Sequence, residues 1–114
     1  MSGCEWVIEA HACDPAPLSD PEKLRTLFAR LVDALALNPI GEACWHQFPG
    51  GGITGLSLLA ESHIACHTFP EYRSLCLNVF CCRPRPDWDF EGHLRREFGA
   101  ASVQVRRLER IYQE

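Results

Sequence analysis

No apolar run in this chain is long enough to cross a bilayer, and the opening Met1-Ser2-Gly3-Cys4-Glu5 carries no basic segment ahead of a hydrophobic one. Neither a membrane span nor a secretory leader is expected, which makes the cytoplasm the expected compartment. Basic residues form no block and do not alternate with aromatics, and the net charge is −4; nucleic acid is not an expected partner. A Cys-x-x-Cys knuckle is absent, and His63 and His67 stand four apart, a spacing that shares a face only on a helix. No metal site is expected from them. There is no Gly-x-Ser-x-Gly elbow, and Gly50-Gly51-Gly52 is followed by no Lys-Ser/Thr pair, so neither a hydrolase elbow nor a phosphate loop is indicated. Seven cysteines is an odd number without a secretion signal, which argues against a disulfide framework and for small buried thiols.

What is present is enough for one domain spanning 1–114, with 46% hydrophobic and 23% charged residues. Cys4 to Ala12 alternates, with Trp6, Ile8 and Ala10 on one face and Glu9 and His11 on the other, which predicts a half-buried strand. Ser19-Asp20-Pro21-Glu22 carries two overlapping helix-start signals. Leu24, Leu27, Phe28, Leu31, Val32 and Leu35 then make one apolar stripe, and Asn38-Pro39 is the expected stop. Strands are predicted over 41–48, 53–60, 62–67, 73–82 and 102–111, with Pro49-Gly50-Gly51-Gly52 as a flexible turn and Gly55 as a bulge or a close approach. Asp87 is read as the cap of a second helix that Gly99 ends. The order predicts an α+β two-layer sandwich: a mainly antiparallel sheet with two helices on one face. The uncovered face predicts pairing into a dimer.

The stretch from Leu58 to Glu71 gathers Ser62, His63, Cys66, His67, Glu61 and Glu71. Taken singly, each has an ordinary structural explanation. A serine nucleophile needs a base within hydrogen-bond reach, yet five residues of strand put Ser62 and His67 about 16 Å apart, on opposite faces. Either the chain bends sharply between them, or His67 serves a serine of another protomer, or the strand is cut.

Glu61-Ser62-His63, then His67-Thr68-Phe69-Pro70-Glu71, then Asn78-Val79-Phe80-Cys81-Cys82 resembles the small prokaryotic S-adenosylmethionine decarboxylase proenzymes. The resemblance implies a pyruvoyl-dependent enzyme that cuts itself between Glu61 and Ser62 into 1–61 and 62–114. Ser62 would become the pyruvoyl group, the cofactor that forms a Schiff base with the substrate. His67 would be the processing base, Thr54 a hydroxyl assisting the acyl shift, and Cys82 the proton donor. Phe48, Phe69 and Glu71 would bind substrate. The product would be the aminopropyl donor for polyamine (spermidine) synthesis. In such enzymes two protomers share each active site, so a homodimer is implied. Asn78 stands where the family often has aspartate, and relatives of this fold act on arginine or ornithine. Two alternatives follow: a pyruvoyl-dependent arginine or ornithine decarboxylase, and an uncleaved relative acting as a binding subunit.

Overall fold

The computed structural model describes residues 1–113. Ten residues of alternating burial, Ser2–His11, form β1. A single turn of helix, α1 (Pro15–Leu18), leads into α2 (Pro21–Ala34). The strands β2 (Cys44–Gln47), β3 (Ile53–Leu59), β4 (Ser62–Phe69) and β5 (Ser74–Cys81) follow, with a 3₁₀ turn at Pro70–Tyr72 between the last two. Then come α3 (Phe90–Phe98) and β6 (Ser102–Ile111). The six strands make one antiparallel sheet in the order β2-β3-β4-β5-β1-β6.

The sheet buries the side chains that the alternation assigned inward. Trp6, Ile8 and Ala10 of β1 and Leu75, Leu77, Val79 and Cys81 of β5 lie against the helices. Leu24, Leu27, Phe28 and Leu31 of α2 and Phe90, Leu94 and Phe98 of α3 meet them, with Trp6 and Phe90 ring centroids 5.7 Å apart. Removing this apolar area from water is the main stabilising term. The opposite face carries Glu5, Val7, Glu9, His63, Ala65, His67, Asn78 and Phe80, none of them fully buried. The expected α+β sandwich is therefore the observed one.

Several boundaries differ from expectation, each for a local reason. Pro15 at the first helical position, with its fixed φ, opens the short α1 between β1 and α2, where no helix was expected. Asp20 wins the α2 cap, its carboxylate accepting from the Glu22 N–H at 3.0 Å. Asp89, not Asp87, caps α3, accepting from the Gly92 N–H at 2.9 Å, because Asp87 is paired with Arg107. Gly55 is a close approach and not a bulge: β3–β4 register runs unbroken through it, and the Trp45 ring lies where a Cβ would stand, 2.3 Å from it. Among the cysteines, Cys4, Cys13, Cys66 and Cys81 are buried, and all seven are free.

Candidate functional site

β3 and β4 are joined by Ala60 and Glu61, with Leu59 paired to Ser62. So tight a reversal needs a positive φ, usually supplied by glycine or asparagine. Here Glu61 supplies it, at φ 62°. A non-glycine residue held there costs roughly 1–3 kcal/mol and persists only when its surroundings impose it. The backbone N–H of Cys82, one residue past the end of β5, donates to the Glu61 carbonyl at 2.9 Å. Across β5, Ser62 faces Cys81. Both side chains point to the buried side of the sheet, and the Ser62 hydroxyl donates only weakly, to the Ala60 carbonyl at 3.4 Å. Burial pushes the Cys81 thiol above its ordinary value, against the lowering influence of the Ser62 hydroxyl and the Arg85 guanidinium. Arg83 pairs with the Glu61 carboxylate at 3.3 Å in solvent.

The other end of the same hairpin carries a second group on the open face. Thr54 and His67 are register partners, with Thr54 Oγ1 3.0 Å from His67 Nδ1. Above them a cavity of about 630 Å³ is lined by Phe48, Gly50, Gly52, Thr54, His67, Phe69 and Glu71, a volume suited to a small organic ligand. Its aromatic walls, Phe48 and Phe69, are half-exposed. His46 stands edge-on to Phe48 with centroids 4.6 Å apart.

The turn that carries Phe48 is tied down, contrary to the flexibility expected of Pro49-Gly50-Gly51-Gly52. The Phe48 N–H donates to the Gly52 carbonyl at 2.8 Å, and the Gly51 N–H to the Phe48 carbonyl at 2.9 Å. Gln47 Nε2 donates to the Ser19 carbonyl at 2.9 Å and to the Gly51 carbonyl at 3.2 Å. Thr68 Oγ1 accepts from the Ile53 N–H at 2.8 Å and donates to the Leu18 carbonyl at 2.7 Å. Gly51, at φ 97°, lets the turn close against Ser19.

The predicted residues thus fall into two sets. Phe48, Thr54, His67, Phe69 and Glu71 share one cavity, and Glu61, Ser62 and Cys82 share the far end of the hairpin. β4 runs straight between them, with Ser62 buried and His67 exposed on the opposite face. Of the three routes left open above, a sharp bend within the strand is excluded. Sequence reasoning missed Gln47 and Thr68, whose roles depend on backbone carbonyls of α1 and the residue after it. It also left His63 unassigned.

The model of the family described as S-adenosylmethionine decarboxylase matches residues 4–111. The S-adenosylmethionine decarboxylase proenzyme of Prochlorococcus marinus (strain MIT 9313) is 37% identical over 115 residues, covering 96% of this chain and 88% of that one. The proenzyme of the same name from Pyrococcus furiosus is 30% identical, covering 98% of this chain and 81% of that one. Among solved structures, the adenosylmethionine decarboxylase of Aquifex aeolicus VF5 superposes with a TM-score of 0.78 at 24% identity, covering 98% of this chain and 92% of that one. At that identity the likeness speaks for the fold.

Proposed function

The chain belongs to the S-adenosylmethionine decarboxylase family, and from that premise we propose that it is a proenzyme that cuts itself between Glu61 and Ser62 and then decarboxylates S-adenosylmethionine. Its product is the aminopropyl donor of polyamine synthesis. The observation that carries the cleavage reading is the Glu61–Ser62 junction, a left-handed non-glycine residue whose carbonyl accepts a 2.9 Å hydrogen bond from the Cys82 N–H. The Ser62 Oγ attacks that carbonyl, and negative charge developing on its oxygen is met by a donor already in place. The nitrogen of residue 62 leaves, turning the amide into an ester. His67 takes the Ser62 α-proton, Thr54 shares its Nδ1, and elimination frees the 1–61 piece as a carboxylate. Tautomerisation of the remaining enamine to an imine, and its hydrolysis by water with release of the residue 62 nitrogen as ammonia, leaves a pyruvoyl group at position 62.

The strained turn and the waiting donor fit that group. When formed, it supplies a ketone that takes up the substrate amine and accepts the electron pair released with carbon dioxide. The chain's own residues do the rest. Phe48 and Phe69 stack against the adenine, with offset and edge contacts worth about 0.5–1.5 kcal/mol each. Glu71 accepts hydrogen bonds from the ribose hydroxyls. Cys82 returns a proton from its Sγ to the carbon that lost carbon dioxide.

Separation of the two residue sets supports a homodimer with shared sites, in which His67 and Thr54 of one protomer serve position 62 of its partner. The fragments of one protomer stay interleaved after the cut. β1 of the 1–61 piece lies between β5 and β6 of the 62–114 piece, and β3 pairs with β4. Arginine and ornithine as substrates, and an uncleaved binding subunit, gain no support from the relatives described above. Mass spectrometry of the purified protein tests the reading, together with release of carbon dioxide from carboxyl-labelled S-adenosylmethionine. Two fragments divided at Glu61/Ser62, with turnover, are expected. A single intact, inert chain would overturn it.

A further inference from the structure

Cleavage at Glu61/Ser62 turns residue 62 into a chain terminus, and termini fray unless something holds them. The next residue, His63, is gripped on two sides. Its ring stacks on Phe80 with centroids 5.5 Å apart and planes within 10° of parallel. Its Nε2 lies 3.0 Å from Asn78 Oδ1. Asn78 Nδ2 in turn donates to a Glu5 carboxylate oxygen and, at 3.4 Å, to the Trp6 carbonyl. The other Glu5 oxygen accepts from Arg110, whose guanidinium lies over the Phe80 ring, 5.5 Å from its centroid. The five side chains close a ring on the open face of the sheet: His63, Asn78, Glu5, Arg110 and Phe80.

The direction of every hydrogen bond in this ring is set by chemistry. Glu5 and the Trp6 carbonyl only accept, so the Asn78 amide must turn its nitrogen toward them and its oxygen toward His63. His63 must then carry its proton on Nε2 to donate to that oxygen. Aspartate at position 78 would have no proton for Glu5 and would set two carboxylates against each other, so the amide is the residue that Glu5 requires. The ring also crosses the cleavage site. Glu5 belongs to the 1–61 piece, whereas His63, Asn78, Phe80 and Arg110 belong to the 62–114 piece.

Resting on the self-cleavage proposed above, we infer that His63 is a positioning residue for the group at position 62, held as its Nε2–H tautomer by Asn78, and that Glu5 is the strap by which the 1–61 fragment keeps this clamp set after the chain is cut. His63 acts on the reaction only through the register it gives its neighbour. Its loss leaves substrate contacts intact and misaligns the reacting carbonyl with its proton donor.

Two variants separate the donor from the stack. His63→Phe keeps the ring on Phe80 and removes the N–H; His63→Gln places an amide N–H near the Nε2 position. Each is purified, checked for cleavage by mass, and measured in two ways: steady-state kinetics, and the rate at which the carbonyl at position 62 reacts with a hydrazine reagent in the absence of substrate. For His63→Phe, kcat falls about tenfold, the worth of one hydrogen bond expressed in the transition state, with KM little changed. Hydrazine labelling becomes faster, and His63→Gln returns both quantities toward those of the unaltered protein. If His63→Phe yields no cleaved protein, Asn78→Leu, which leaves residue 63 untouched and removes its acceptor, takes its place with the same readouts. Unchanged kcat and labelling, or equal losses in the Gln and Phe variants, would overturn the inference while the decarboxylase reading stands. An unaltered protein with no carbonyl would defeat the self-cleavage reading, and the inference falls with it.

Discussion

Ser62 and His67 lie on one strand but on opposite faces of the sheet, Ser62 turned toward the helices and His67 toward the open side. His67 has its own partner in Thr54 Oγ1, 3.0 Å away. Two groups so separated cannot meet within one protomer while β4 stays paired on both sides, as it is to β3 and β5. That arrangement makes the sharing of sites testable by complementation. His67→Ala alone is expected to cleave far more slowly than the unaltered chain. Co-expressed with Ser62→Ala, which keeps His67 but cannot cut itself, the His67→Ala chain should cleave again. Electrophoresis with one chain tagged reads the outcome, and failure to restore cleavage would place the whole site within one protomer.

Cys82 contributes through two different atoms. Its backbone N–H holds the Glu61 carbonyl, and its thiol is the proposed proton donor. Cys82→Ala removes only the second. Cleavage should therefore proceed, while kcat falls about a hundredfold or more, the usual worth of a positioned acid. Full activity would move the acid role to the neighbouring Cys81, whose buried thiol stays protonated well above neutral pH.

Gln47 anchors the turn that carries Phe48 to the Ser19 carbonyl. Gln47→Ala should raise KM about fivefold, as expected for losing about 1 kcal/mol of hydrogen bonding that steadies the wall of the cavity. Cleavage at Glu61/Ser62 relies on His67 and Thr54, which the pairing of β3 with β4 holds independently of that turn, and should keep its rate. Kinetics and gel analysis of the same preparation decide this, and a parallel loss of cleavage would show a global defect.

Gly55 leaves room for the Trp45 ring, which packs on Phe28 with centroids 4.7 Å apart. Gly55→Ala forces a Cβ into that ring. The melting temperature should drop by roughly 4–12 °C, corresponding to about 1–3 kcal/mol of overpacking. In a Trp45→Ala background the same change should cost little, because the ring it collides with is gone. Thermal unfolding of the four proteins of this cycle tests the contact directly.

His93 of α3 is 1% exposed, and neither ring nitrogen has a hydrogen-bond partner among the described residues. It lies between Trp88 and Phe98. Burial lowers its pKa below the ordinary 6.5, with Arg30, Arg96 and Lys23 acting in the same direction and Glu97 opposing them. The unfolded chain therefore binds a proton at higher pH than the folded one. Stability from this group is complete above about pH 6.5 and is lost as pH falls from there toward the folded pKa. Melting temperatures should decline between pH 7.5 and 5.5 in the unaltered protein, and His93→Phe should flatten that decline. An equal slope in both would assign it to other groups.

Much of the fold is legible because strands and one helix announce themselves by period. Trp6, Ile8 and Ala10, and Leu75 to Cys81, alternate as they are buried, and the last strand has the bounds that its pattern predicts. Gly99 ends α3 at φ 66°, as a helix-stop glycine does. Less legible were features in which local signals compete. Asp87 and Asp89 both suit a cap, and only Arg107, twenty residues on and brought back by β6, decides between them. The three-glycine turn reads as loose because the carbonyl of Ser19 that holds it, through Gln47, is 28 residues away in the chain.

Residue types and spacing alone determined the layer architecture and the set of residues that carry the family resemblance, because periodicity and short motifs are local properties of the chain; the hairpin that reverses at Ala60-Glu61 was not among them. Only the tertiary structure decided how that set divides. Antiparallel pairing brings Thr54 to His67 and carries Cys82 to the Glu61 carbonyl, and the turn after β2 sets Phe48 in the same cavity as Phe69. It also closes the ring from His63 through Asn78 and Glu5 to Arg110. Such contacts join residues far apart in sequence, and their register is set by burial of the opposite face of the sheet, where none of these groups lies except Ser62.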